Sequence, residues 1–372
     1  VSFAQVIART WRDNLLFSVL LELTYRCNLD CFFCYNDLGQ AGRPLSLESY
    51  FQLFEDLAAM QVMNLTFSGG EPLAHPDFLR LGGKARELGF VVRVKSNGHA
   101  LRGELLRRLK DEVDPFIVEV SLHGATAATH DRQTRVPGSF ERLLANLGEM
   151  AALGFRVKVN STLTAWNEGE IEGMFDLVES LGLAFQVDPE VSPRDDGDRG
   201  PLAISPTREG MLRLFAVQEA RARAAWERLG PAASAATPAT GIARGGDDGT
   251  VPTAIHKHCG AGSAGIAVDP YGNVYPCVQW RRPVGNLHEQ RIGEIWTGSA
   301  DLTEIREITT AAKGVVEGYG AAGPFLNFCP GNADAHGGDP LAVYPSALRR
   351  MDVVEEILRK AEGKKALLPI LP

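Results

Sequence analysis

Three cysteines stand together in "CNLDCFFC", where Cys27, Cys31 and Cys34 follow the order C-x3-C-x2-C with no histidine close by. Thiolates at such spacing bind soft metals or iron–sulfur clusters, and a cubane held by three cysteines keeps one iron free for an outside ligand. Structural zinc is the competing reading, although its usual signature is two separated Cys/His pairs. Three further cysteines, Cys259, Cys277 and Cys329, lie far downstream. An exporting cell could close all six into disulfides. The opening "VSFAQVIARTWRDNLL", however, carries arginines and an aspartate where a signal peptide has its apolar core. A cytoplasmic chain with reduced, metal-binding cysteines is the expectation.

The elements that must position these cysteines show as an alternation. Apolar, β-rich runs at 17–24, 61–68, 90–96, 115–122, 155–164 and 183–189 are separated by amphipathic stretches near 46–60, 76–88, 101–112, 138–153 and 167–181. Ser46 is placed to cap the first helix. Near-continuous apolar strands between helices imply an α/β fold with a parallel sheet covered on its outer face, and six units suit a partial, open (β/α)6 relative of the (β/α)8 barrel. Ligands of such folds sit at the C-terminal ends of the strands. "CNLDCFFC", "SGGEP" (68–72), "SNG" (96–98) and "SLHG" (121–124) all fall there.

After Pro189 the character changes. A polar linker from 192, a helix near 207–229 and a small-residue stretch at 230–252 lead to a second, α+β unit, where "AGIAVDPYGNVYPCVQW" (264–280) predicts a hairpin around "DPYGN". The expected division is 1–191, 192–254, 255–345 and a closing helix and tail at 346–372. Of the 372 residues 45% are hydrophobic and 23% charged, which is globular usage, and the net charge of −8 without a long basic run gives no support to a nucleic-acid partner. No apolar run approaches the roughly 20 residues needed to cross a membrane.

The cysteine loop resembles the signature of the radical S-adenosylmethionine (SAM) superfamily, C-x3-C-x-aromatic-C, here Cys27, Cys31, Phe33 and Cys34. Gly69-Gly70-Glu71-Pro72, one β/α unit downstream, matches that family's second motif. The resemblance implies a [4Fe-4S] cluster on the three cysteines, its free iron chelated by SAM, and a 5′-deoxyadenosyl radical that abstracts hydrogen from an unactivated C–H bond. It also implies that Gly69 and Gly70 give the ligand close backbone approach, that Glu71 accepts its ammonium, and that Phe33 helps exclude water. By the same resemblance Ser96, Asn97, Ser121 and Arg135 hold ribose and carboxylate, with Asn160 and Val187 at the adenosine end.

The second unit resembles a reduced SPASM or twitch extension. A full SPASM domain carries about seven cysteines, including a C-x2-C-x5-C-x3-C run; Cys329, followed by Pro330, fits its last member while the preceding places hold other residues. One auxiliary iron–sulfur cluster, of the [4Fe-4S] kind, on Cys259, Cys277 and Cys329 is implied, with structural zinc as the alternative. Its fourth ligand is open, or drawn from His256, His258, Asp334, His336 and Asp339. His123, Asp188, Asp334 and His336 are candidate bases, none preferred. The implied activity is oxidative modification or cross-linking of a ribosomally made peptide, fed by a reductase or a flavodoxin- or ferredoxin-type donor. Dehydrogenation of a small molecule and a non-enzymatic metal-binding scaffold are the alternatives. Only about 16 residues precede the first strand, so no separate peptide-recognition module is expected there.

Overall fold

Residues 3–37, 39–229 and 257–362 are described in the computed structural model. The stretch at 230–252 and His256 lie outside them. Helix α1 (Phe3–Asp13) precedes six β/α units: β1 (Ser18–Thr24), α2 (Leu47–Ala59), β2 (Asn64–Gly69), α3 (Phe78–Glu87), β3 (Val91–Ser96), α4 (Gly103–Arg108), β4 (Ile117–Ser121), α5 (Ala127–Thr134), α6 (Ser139–Ala152), β5 (Val157–Thr162), α7 (Ile171–Ser180) and β6 (Ala184–Asp188). The strands pair in parallel in sequence order, β1 to β6.

Alternation along the strands divides two environments. Val19, Leu21 and Leu23 of β1, Val92 and Val94 of β3, and Val118 and Val120 of β4 are buried in one hydrophobic core with helix residues such as Phe54, Leu81 and Leu147. The intervening positions Leu20, Arg93, Lys95 and Glu119 instead line an interior cavity. Helix α2 starts where Ser46 Oγ accepts from Ser49 N (3.1 Å), the expected cap. Strand β2 begins three residues later than the apolar run does, because Gln61 at φ +60° turns the chain and Val62 N still bonds back to Leu57 O.

Helix α8 (Arg208–Leu229) follows the linker, then β7 (Gly265–Val268), β8 (Asn273–Tyr275), β9 (Gly285–Asn286), α9 (Ile292–Gly298), α10 (Ala300–Glu317), α11 (Pro330–Gly337) and α12 (Pro345–Glu362). The hairpin forms as expected around Asp269, whose Oδ1 accepts from Tyr271 N and Asn273 N (both 2.9 Å), with Gly272 at φ +82°. It does not build a separate sheet. Strand β7 pairs in parallel with β1, Ser18 opposite Gly265 and Leu21 opposite Val268, and extends the barrel sheet to nine strands in the order β6-β5-β4-β3-β2-β1-β7-β8-β9.

Three charged side chains lock that junction. Arg281 forks onto Glu22 of β1 (2.6 and 2.8 Å) and donates its Nε to Asp195 of the linker (2.8 Å), while Tyr25 Oη donates to Glu22 (2.9 Å). The side chain of Glu22 is fully buried, so its charge depends on this fork.

Candidate metal and cofactor site

Beyond Thr24 the chain enters the cysteine loop, which is pinned on two sides. Asp30 N and Phe32 N donate to Thr134 O and Gln133 O at the end of α5 (both 3.1 Å), and on the other side Gly70 N donates to Thr24 O (2.7 Å) and Glu71 N to Arg26 O (2.8 Å). A Cβ on Gly69 would stand 2.3 Å from Thr24 O, and one on Gly70 would stand 2.6 Å from both Tyr25 O and Arg26 O. The glycines are therefore required by the seating of two backbones against each other, a reason distinct from the expected approach of a ligand. Gly69 additionally takes φ +126°.

Glu71 does not line the cavity. Its carboxylate, 2% exposed, accepts from Ser96 Oγ (2.9 and 3.1 Å), Asn97 N (2.8 Å) and Leu73 N (3.1 Å), which ties the end of β2 to the end of β3. Burial pushes this carboxyl up to about 7 against the pull of those hydrogen bonds. The oxygens expected to receive an ammonium are thus engaged within the protein. Asn97 in turn donates Nδ2 to Asn28 Oδ1 (2.7 Å) and points the same group at Cys27 Sγ (3.7 Å).

A cavity of about 1040 Å³ opens along the inner face of the barrel. Cys27, Cys31, Phe33 and Cys34 form part of its wall, as do Gly69, Gly70, Ser96, Asn97, Ser121 and Asn160 at the strand ends. Cys277 and Cys329 line the same space. Cys259 is adjacent without lining it; burial, with Cys329 and Cys277 beside it, pushes its thiol up to about 12. Burial likewise raises Cys34 and Cys329 to about 11 each, and raises Cys27, Cys31 and Cys277. Thiols this enclosed ionise against compensating positive charge. Three thiols from one loop are the donor set of a cubane with an open iron, and the second triplet offers the same donors, although among the described residues neither triplet is drawn close enough to grip a single metal ion.

The other expected residues divide by location. The Arg135 guanidinium bonds to Asp30 O and Oδ1 (both 2.6 Å) and braces the cysteine loop from outside the cavity. Val187 is 2% exposed and belongs to the core, while its neighbours Gln186 and Asp188 face the cavity. Phe33 meets His123 edge-on at 4.6 Å, and both line the cavity. Burial holds His123 down to about 3, a neutral ring. Burial raises the Asp188 carboxyl. Asp334 accepts from Trp280 Nε1 (3.1 Å), His258 Nε2 bonds to Phe328 O (2.7 Å), His336 stacks on Tyr344 (5.0 Å), and Asp339 Oδ1 accepts from Leu341 N (2.9 Å); none of these four lines the cavity.

Sequence reasoning missed Asn36, which lines the cavity and donates Nδ2 to Gly69 O (3.0 Å), and nothing in "CYND" sets it apart. It also missed the charged inner face of the strands, although "VVRVKS" carries the period-2 signal.

The radical SAM superfamily model matches residues 21–178, and the model of the SPASM iron-sulfur cluster-binding domain matches residues 259–316. The chain is 30% identical over 269 residues to the PqqA peptide cyclase of Ruegeria pomeroyi, covering 70% of this chain and 67% of that one. It is 27% identical over 293 residues to the AdoMet-dependent heme synthase of Methanosarcina barkeri, covering 77% and 83%. Among solved structures, native anSMEcpe with bound AdoMet and Cp18Cys peptide superposes with a TM-score of 0.65 at 14% identity, over 94% of this chain and 99% of that chain, a likeness of fold. The chain belongs to the radical SAM superfamily and carries a SPASM-type extension. Its cofactors are accordingly a [4Fe-4S] cluster, SAM and an auxiliary iron–sulfur cluster.

Proposed function

We propose that this protein is an oxidoreductase that modifies or cross-links a ribosomally made peptide at an unactivated C–H bond. The carrying observation is a cavity walled by Cys27, Cys31 and Cys34 and also by Cys277 and Cys329, so that one bound substrate meets the SAM end and the auxiliary end together. The similarity to a peptide cyclase supports the choice of substrate. When bound, the reduced cluster and SAM supply a 5′-deoxyadenosyl radical for hydrogen abstraction.

The chain's own residues bind, orient and exclude. Cys27, Cys31 and Cys34 hold the first cluster. Gly69, Gly70, Ser96, Asn97, Ser121 and Asn160 orient SAM from the strand ends, and Phe33 packed on His123 keeps water from it. Glu71 and Arg135 act one layer back, fixing Asn97 and the cysteine loop. Cys259, Cys277 and Cys329 place a redox centre within reach of the substrate, which an oxidative outcome requires. A reductase or a flavodoxin- or ferredoxin-type protein supplies the electron for each SAM cleavage.

The test is anaerobic reconstitution followed by incubation with reductant, SAM and the peptides encoded beside the gene. The expected result is 5′-deoxyadenosine together with a peptide lighter by a pair of hydrogens. The alternative reading is dehydrogenation of a small molecule. Consumption of a co-encoded metabolite with every peptide mass unchanged would select it.

A further inference from the structure

The interior of a (β/α) barrel is ordinarily filled by branched apolar side chains. Here the inward positions of three adjacent strands are charged. Lys95 on β3 is in register with Glu119 on β4, and Glu119 with Lys158 on β5; Arg93 precedes Lys95 by two residues on the same inner face. All four line the cavity that also holds the cysteines.

Their charges do not balance among themselves. Glu119 is shared by Arg93 Nη2 (2.5 Å), Lys95 Nζ (3.8 Å) and Asn160 Nδ2 (3.0 Å), which engages both of its oxygens. Lys158 Nζ bonds to the neutral Oε1 of Gln186. Arg93 Nε is buried with no hydrogen-bond partner. The other carboxylates on the cavity wall are Asp188 and Glu190. Those two have Arg350 of α12 beside them, and Glu190 also accepts from Ser346 Oγ (2.6 Å). On β3 to β5 three cations therefore face the single carboxylate of Glu119. Lys158 is partly buried and bonded to a neutral amide oxygen, and an incoming carboxylate would form charge-assisted hydrogen bonds with it and with the two cations that share Glu119.

We propose that Arg93, Lys95 and Lys158 form a receptor for a substrate carboxylate, so that the peptide is one presenting an acidic side chain or its own C-terminus to the barrel interior. This rests on the peptide reading above. The placement fits, because Lys95 and Lys158 line the same cavity as Cys34 and Cys277. An anion held there keeps the adjoining part of the substrate between the two cysteine sets.

The test is equilibrium binding to the reconstituted, SAM-loaded holoenzyme by calorimetry. Four probes are used: Ac-Ala-Glu-Tyr-NH2, Ac-Ala-Gln-Tyr-NH2, Ac-Ala-Gln-Tyr-OH and glutarate. The glutamyl amide or the free acid is expected to bind roughly tenfold more tightly than the neutral peptide. Which of the two does so tells a side-chain carboxylate from a terminal one. The preference should vanish in a Lys95→Gln/Lys158→Gln variant and return in Lys95→Arg/Lys158→Arg, with cluster absorbance showing that each variant has folded. Equal binding of acidic and neutral peptides overturns the receptor while leaving the peptide reading intact. Binding of glutarate without any peptide, lost in the Gln variant, upholds the receptor and removes the peptide. Failure of all four probes, or a preference that survives in the Gln variant, overturns the receptor.

Discussion

At the scale of single residues, side chains expected to touch a ligand turn out to hold other side chains. Sequence motif alone identified Gly69 and Gly70, but the reason for glycine lies in the carbonyls of Thr24, Tyr25 and Arg26, whose closeness depends on tertiary seating. Gly70→Ala should therefore displace the cysteine loop at a cost of roughly 1–3 kcal/mol. A lowered denaturation midpoint, with reduced iron at the first cysteine triplet, is the expected result. Retained iron and an unchanged midpoint would contradict the clash. A second prediction concerns His123 and His130. His130 Nδ1 accepts from His123 N (3.1 Å) and His123 Nδ1 from Thr162 N (3.4 Å), and burial holds the rings down to about 3 for His123 and about 4 for His130. Between about pH 4 and the ordinary histidine value of 6.5 the unfolded chain takes up protons that the folded chain refuses. Stability from this source is whole above pH 6.5 and lost as pH falls, by on the order of a few kcal/mol. His130→Gln, which can still accept from His123 N, should flatten the acid limb of a plot of urea midpoint against pH; an unchanged limb would refute the assignment.

At the scale of elements, the six β/α units were legible because their strands are continuous apolar runs and their helices have one apolar face. Helix α5 was not, since "AATHDRQT" has no such face; its place is fixed by Thr126 capping Thr129 N and by His130 packing under Phe140. Helices α9 and α11 escaped for a related reason, being only 7 and 8 residues long. The pairing of β7 with β1 was also illegible, because parallel partners 247 positions apart leave no local signal. Arg281 makes that junction hold. Arg281→Met leaves the fully buried Glu22 without its fork, at a cost of about 3–5 kcal/mol. Arg281→Lys should recover only part, because a single ammonium cannot reproduce the two-pronged contact. Chemical denaturation checks both, and full recovery by lysine would show that charge alone suffices.

At the scale of the whole molecule, the sequence announced two cysteine groups but not that they share a space. Strand β7 continues the barrel sheet and the chain beyond it returns Cys277 and Cys329 to the wall of the cavity that the loop after β1 also lines. The second unit is thus a continuation of the sheet, closed by the Glu22, Asp195 and Arg281 contacts. The charged inner face emerges only when the strands are placed in register, since no single segment carries more than two of its members. Emptying the second triplet by Cys259→Ala/Cys277→Ala/Cys329→Ala should accordingly leave SAM cleavage measurable as 5′-deoxyadenosine while abolishing the modified product. Loss of cleavage as well would tie the second triplet to SAM activation itself.

That same triple variant isolates the first cluster for the most direct measurement: electron paramagnetic resonance of the reduced, reconstituted protein before and after SAM is added. Ligation of SAM to the open iron predicts one reduced [4Fe-4S] signal whose g-values shift on addition. A signal that SAM leaves unmoved, or no cluster on Cys27, Cys31 and Cys34, would contradict the account.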